Sequence, residues 1–169
     1  MGFCGKYARL SKGKQKIRLT LLDWAVTNGG EIPSEVVKEI VESVIASNMF
    51  EEFLGKTSKE IIDSMEKEHV FQLSENDGIC YLYPYSAYAT DYDVRLEDGR
   101  RFYAMCAIDA MGSAVTFNQR VEIYSKCKDT QEKLFLRVTP QNGIEEVRPD
   151  DRITATYYDT SEEYIAFNC

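Results

Sequence analysis

The run Val94-Arg95-Leu96-Glu97-Asp98-Gly99-Arg100-Arg101-Phe102-Tyr103-Ala104-Met105-Cys106-Ala107-Ile108-Asp109-Ala110-Met111-Gly112 passes from one structural period to another. Tyr92 to Leu96 alternates apolar with polar, and Glu97-Asp98-Gly99-Arg100 holds an Asp-Gly turn, so Asp91 to Tyr103 reads as a β-hairpin. Met105 to Val115 is then rich in Ala and Met, which suits a short helix, here expected to stop at Gly112. Strand patterns resume on the far side at Arg120–Tyr124, Lys133–Val138, Ile153–Tyr158 and Tyr164–Phe167. Their turn signals are Thr139-Pro140-Gln141-Asn142-Gly143 and Pro149-Asp150-Asp151. Upstream, Val70–Leu73 and Cys80–Tyr83 are strand candidates around the turn Ser74–Gly78.

Before residue 70 the period is helical. Ile17, Leu19, Leu21, Leu22, Trp24 and Ala25 form an apolar face that ends at Asn28-Gly29-Gly30. A second helix starts at Pro33-Ser34-Glu35 and repeats Val36, Val37, Ile40, Val41, Val44 and Ile45 at intervals of three and four. A third starts at Thr57-Ser58, with Glu60 placed for a capping box. The fold class is therefore α+β: an N-terminal three-helix, winged-helix-like domain, then a mostly antiparallel β-sheet domain with a short helix carrying a Cys-x-x-Asp pair. The boundaries read as a basic flexible arm at 1–16, a helical domain at 17–78 and a β-rich catalytic or metal-binding domain at 79–169. The third helix, SKEIIDSMEKE, is acidic and would be repelled by phosphates, which makes it a structural helix rather than a DNA reader.

Composition narrows the function. The 169 residues carry 20 basic and 28 acidic side chains, a net charge of −8, so a nucleic-acid partner is not expected. The bases Lys6, Arg9, Lys12, Lys14, Lys16 and Arg18 cluster at the start, which reads as a solvated terminus ahead of an anion site. No apolar run approaches the roughly 20 residues of a membrane span. MGFCGKYARLSKGKQK has no apolar stretch for a secretory signal, and Lys6 breaks the myristoylation pattern. The five cysteines, Cys4, Cys80, Cys106, Cys127 and Cys169, are odd in number and widely spaced, which favours free thiols in a reducing, cytoplasmic setting. The lone His69 makes no metal site. Tyr81, Tyr83, Tyr85, Tyr88 and Tyr92 are most simply sheet packing, with a subset able to wall an apolar pocket.

Cys106 and Asp109 stand three apart on the proposed short helix and so share a face. A carboxylate beside a thiol can accept its proton and return it to a leaving group. By itself this spacing is a weak signal, since a buried Cys is usually a small hydrophobe and Asp near a helix start is usually a cap.

Three segments carry a resemblance. They are Tyr83-Pro84-Tyr85-Ser86, the run from Val94 to Gly112 with its core Tyr-Ala-Met-Cys-Ala-Ile-Asp-Ala-Met-Gly, and Arg120 to Pro140 with Ser125-Lys126-Cys127 and Val138-Thr139-Pro140. Over residues 79 to 169 the chain resembles the alkylmercury (organomercurial) lyase family, whose members also begin with a helical, winged-helix-like domain. The resemblance implies protonolysis of a carbon–mercury bond, giving a hydrocarbon and Hg(II). It implies Cys106 as the primary nucleophile, Asp109 as proton shuttle and Cys169, aligned from Pro149, as second thiolate. Cys106 and Cys169 would hold the substrate mercury in passing, and Cys127 would be structural. No permanent metal or organic cofactor is implied. The partners would be a small organometal substrate and, for the product, small thiols or a mercuric reductase. Thiolates suit this chemistry because soft ligands select soft metals. Family members continue for several dozen residues past the position of Cys169, segments that help to close the site. A non-catalytic soft-metal or organometal sensor or carrier is therefore the alternative reading.

Overall fold

The computed structural model describes residues 10–149, which form four α-helices and eight strands, an α+β fold with antiparallel strand pairs. The chain divides into two compact units, Met1–Leu82 and Tyr83–Cys169.

The first unit holds α1 (Lys12–Asn28), α2 (Ser34–Ala46), α3 (Ser58–Lys67) and a short hairpin of β1 (Gln72–Leu73) and β2 (Ile79–Leu82). α1 begins at Lys12, inside the span 1–16 read as a basic arm. The Ser11 hydroxyl caps it by accepting the Lys14 N–H, and the Glu52 carboxylate accepts the Gly13 N–H at 2.7 Å. Such bonds satisfy donors that a helix start otherwise leaves orphaned. Lys14 is also drawn into α3, donating to Ser64 Oγ at 2.7 Å and to the Glu68 carboxylate. Gly29, at φ 74°, closes α1, and the full capping box of Thr57 and Glu60 opens α3. Ile17, Leu21, Leu22, Ala25, Val41, Ile61 and Met65 form the core of these helices. Burying an aliphatic side chain of this size contributes about 1.5–3 kcal/mol.

The second unit is a sheet in the order β3-β5-β4-β6-β7-β8 with one helix, α4 (Ala107–Phe117), against it. Its strands are β3 (Tyr85–Ser86), β4 (Asp93–Leu96), β5 (Arg101–Ala104), β6 (Val121–Lys126), β7 (Lys133–Thr139) and β8 (Gly143–Arg148). β4 pairs antiparallel with both β5 and β6, so those two run parallel, and α4 is the crossover between them. The helix packs on β4, β5, β6 and β7. Val94, Leu96, Phe102, Ala104, Val121, Ile123 and Val138 are buried in the sheet, as are Ala110, Ser113 and Ala114 of the helix. Residues of alternate parity stay wetter. Arg95 stacks over Tyr124 at 4.3 Å and Arg148 over Phe135 at 4.5 Å, while Arg137 bridges Glu122 and Glu146.

Two expectations shift. α4 does not stop at Gly112 but runs to Phe117 and ends at Asn118 in the left-handed conformation. Gly112 is there for close approach: a Cβ at that position would lie 2.5 Å from Tyr83 Oη. β8 forms at Gly143–Arg148, between the two turn signals, where no strand was read. The strand candidates Ile153–Tyr158 and Tyr164–Phe167 lie outside the described residues.

Candidate functional site

The junction of β5 and α4 brings Cys106 and Asp109 together. Cys106 is still extended, at φ −151° and ψ 176°, and is the residue that precedes the helix. Cysteine is not a preferred helix cap, and the Cys106 thiol caps no helical N–H. Asp109, in the first turn, reaches back instead: its carboxylate accepts both the backbone N–H and the S–H of Cys106. This is the returning half of a capping box, with a thiol at the position that usually carries a hydroxyl. Behind it the helix is ordinary, with Ala110 N–H donating to Cys106 C=O at 2.9 Å and Ser113 Oγ donating to Asp109 C=O at 2.9 Å.

Burial sets the electrostatics. Asp109 is only 6% exposed, and loss of water pushes its carboxyl up to about 6, against the opposing pull of the two bonds from Cys106. A carboxylate beside a helix N-terminus is also favoured by the helix dipole. The result is a group mostly ionised at neutral pH yet close enough to neutrality to hold a proton briefly. Cys106 is half-buried, so its sulfur can be approached while its proton acceptor is screened. Phe102 of the sheet meets Tyr85 and Phe117, the last residue of the helix, with ring centroids 6.1 and 5.5 Å away. Tyr85 is buried enough that its hydroxyl is pushed up to about 12.

The other cysteines are placed differently. Cys80 is buried in β2 and its thiol donates to Gln72 C=O at 3.5 Å. Cys127 follows β6 at the head of a tight turn. Its thiol is held below the usual range by the Thr130 hydroxyl and by the backbone N–H groups of Thr130 and Asp129. Cys169 and Cys4 lie outside the described residues, so the structure joins Cys106 to Asp109 and leaves the third expected residue unplaced. Among the described residues no group of three or more His, Cys, Asp or Glu side chains could hold a metal ion. Among them, too, no helix is long and apolar enough to cross a membrane.

Residues 85–166, which contain this junction, match the family described as alkylmercury lyase. Together with the fold likeness that follows, this match supports an alkylmercury lyase family assignment for that part of the chain. A solved relative in fold is the crystal structure of the mercury-bound form of MerB2. It superposes with a TM-score of 0.54 at 17% identity, over 86% of this chain and 64% of its own. At that identity the likeness establishes the fold, and the chain spans less than two thirds of that structure's length. No curated protein matches it. What sequence reasoning missed here is Tyr83, whose hydroxyl end abuts Gly112 one helical turn from Asp109. A glycine in an Ala/Met-rich run looks the same whether it ends a helix or admits a neighbour.

Proposed function

We propose that the chain cleaves carbon–mercury bonds by thiolate attack followed by protonolysis. One observation carries this reading: in a stretch that matches the alkylmercury lyase family, Asp109 is buried and takes the proton-bearing bond of Cys106. Cys106 is the nucleophile, its sulfur bonding to mercury as its proton passes to Asp109. Cys169 is the second thiolate. Its addition makes the metal electron-rich and weakens the Hg–C bond, in keeping with the preference of soft metals for sulfur. Asp109 then delivers the proton to the departing carbon. The hydrocarbon leaves, and Hg(II) remains on the two sulfurs until small thiols or a mercuric reductase take it. No resident metal or organic cofactor enters this sequence, and the free thiols suit a cytoplasmic setting. The three helices with the hairpin behind them have the element order of a winged helix, and they serve here as structure, not as a DNA reader.

The test is release of arene from an arylmercurial in excess small thiol, followed by gas chromatography. The native chain should release arene, and Cys106→Ser should fall to the rate of thiol alone. Equal rates for the two would end the proposal. Mercury bound tightly with no arene released would point to the carrier reading.

A further inference from the structure

Just before Cys106 the β4–β5 ladder contains a side chain. Ala104 N–H donates to Tyr92 C=O at 2.9 Å, as an antiparallel pair requires. The reciprocal bond would run from Tyr92 N–H to Ala104 C=O. Instead Tyr92 N–H donates to Thr90 Oγ1 at 3.1 Å, and Thr90 Oγ1 donates to Ala104 C=O at 2.6 Å. The hydroxyl thus bridges Tyr92 N–H to Ala104 C=O beside the direct bond of the same pair. On the opposite side Pro84 C=O accepts the Met105 N–H at 3.1 Å. The exit of β5 is therefore fixed from both edges, and Thr90 supplies the one side chain among these bonds.

We infer that Thr90 is a positioning residue for the Cys106 thiol: its hydroxyl bridge sets the path of Ala104–Met105 and so delivers Cys106 onto the Asp109 carboxylate. The inference rests on the reading of Cys106 as the reactive thiol. Without the hydroxyl, either Tyr92 N–H closes directly onto Ala104 C=O and drags the junction toward β4, or the two groups lose their bridge. Both outcomes turn the sulfur away from its proton acceptor.

The experiment compares Thr90→Val, which keeps the shape and removes the hydroxyl, with Thr90→Ser, which keeps the hydroxyl. Each folded protein is treated with limiting iodoacetamide at neutral pH, and alkylation of Cys106 and Cys127 is read separately by peptide mass spectrometry. Thr90→Val should slow Cys106 by about fivefold, the effect of losing about one net hydrogen bond. Cys127 in the same tube should keep its rate, and Thr90→Ser should restore Cys106. Native-like alkylation of Cys106 in Thr90→Val, or equal slowing in Thr90→Ser, overturns the inference. Circular dichroism confirms folding, and if the Val variant does not fold, Thr90→Ala against Thr90→Ser makes the same comparison. Alkylation needs no organomercurial, so a chain without lyase turnover still answers the question.

Discussion

Replacing Asp109 with Asn removes a carboxylate that the fold ionises at a cost. A free aspartate titrates near about 3.9, whereas burial holds Asp109 up at about 6 in the folded chain. Between those two values the folded chain binds more protons than the unfolded one, so its stability falls as pH rises. The fall starts near about pH 4 and is complete above about pH 6, by which point it amounts to about 3 kcal/mol at 1.36 kcal/mol per decade. Asn carries no such proton, and its amide oxygen can still accept the Cys106 N–H. The melting temperature of Asp109→Asn relative to the native chain should therefore climb between pH 4 and pH 7.5, by roughly 6–12 °C for a domain of this size. Scanning calorimetry of the pair at both pH values measures this directly, because every other titrating group is common to both and cancels. A gap that stays the same at the two pH values would refute the buried, proton-poised carboxylate. The same variant should bind organomercury but release arene about 10²–10⁴-fold more slowly, the scale of lost general acid catalysis.

The remaining expectations concern the surroundings. Gly112→Ala puts a methyl 2.5 Å from Tyr83 Oη and should cost about 1–3 kcal/mol by thermal melting. Tyr83→Phe in the same chain should recover part of that loss, and no recovery would remove the close-approach account. Cys106→Ser places a preferred cap at the start of α4 and should melt at or above the native temperature, by about 0.5–1 kcal/mol if the hydroxyl engages. A lower melting temperature would show that the thiol itself supports the fold. Cys127, favoured as thiolate by its turn donors and half-exposed, should be alkylated well ahead of buried Cys80 in the native state. Equal rates by peptide mapping would contradict that placement.

Local signals were the legible ones. The Thr57–Glu60 box, the Gly29 stop and the Asp98-Gly99 turn each lie within a few residues. The turn forms as read, with Asp98 accepting from Arg100 and held down to about 2 by that guanidinium. Cys106 and Asp109 were legible as a pair for the same reason. What escaped was set by distant neighbours. Gly112 is decided by Tyr83. β3 has two residues and no period to read. β8 reads Gly-Ile-Glu-Glu-Val-Arg, with Ile144 51% exposed, and is held by pairing to β7 and by the ion pair of Glu146 with Arg137 rather than by an apolar face. The burial of Asp109 is likewise a property of the sheet below it, since the tetrapeptide Cys-Ala-Ile-Asp has the spacing of an ordinary cap.

That cap is where stability and chemistry conflict. A helix start gains most from a hydroxyl or carboxylate at the residue before it, and Cys106 offers neither. An acid in the first turn gains from the dipole if it stays in water, and Asp109 is buried instead. Each choice alone weakens the fold. Together they put an S–H donor and a carboxylate at the two ends of a half-formed capping box, in which the Asp109 side chain reaches back to Cys106. Backbone geometry thereby does the aligning that flexible side chains would otherwise pay for in entropy. The thiol and its proton acceptor are registered by the helix itself, and Thr90 and Tyr83 govern where that helix starts and how close its face can come to the sheet segment before it.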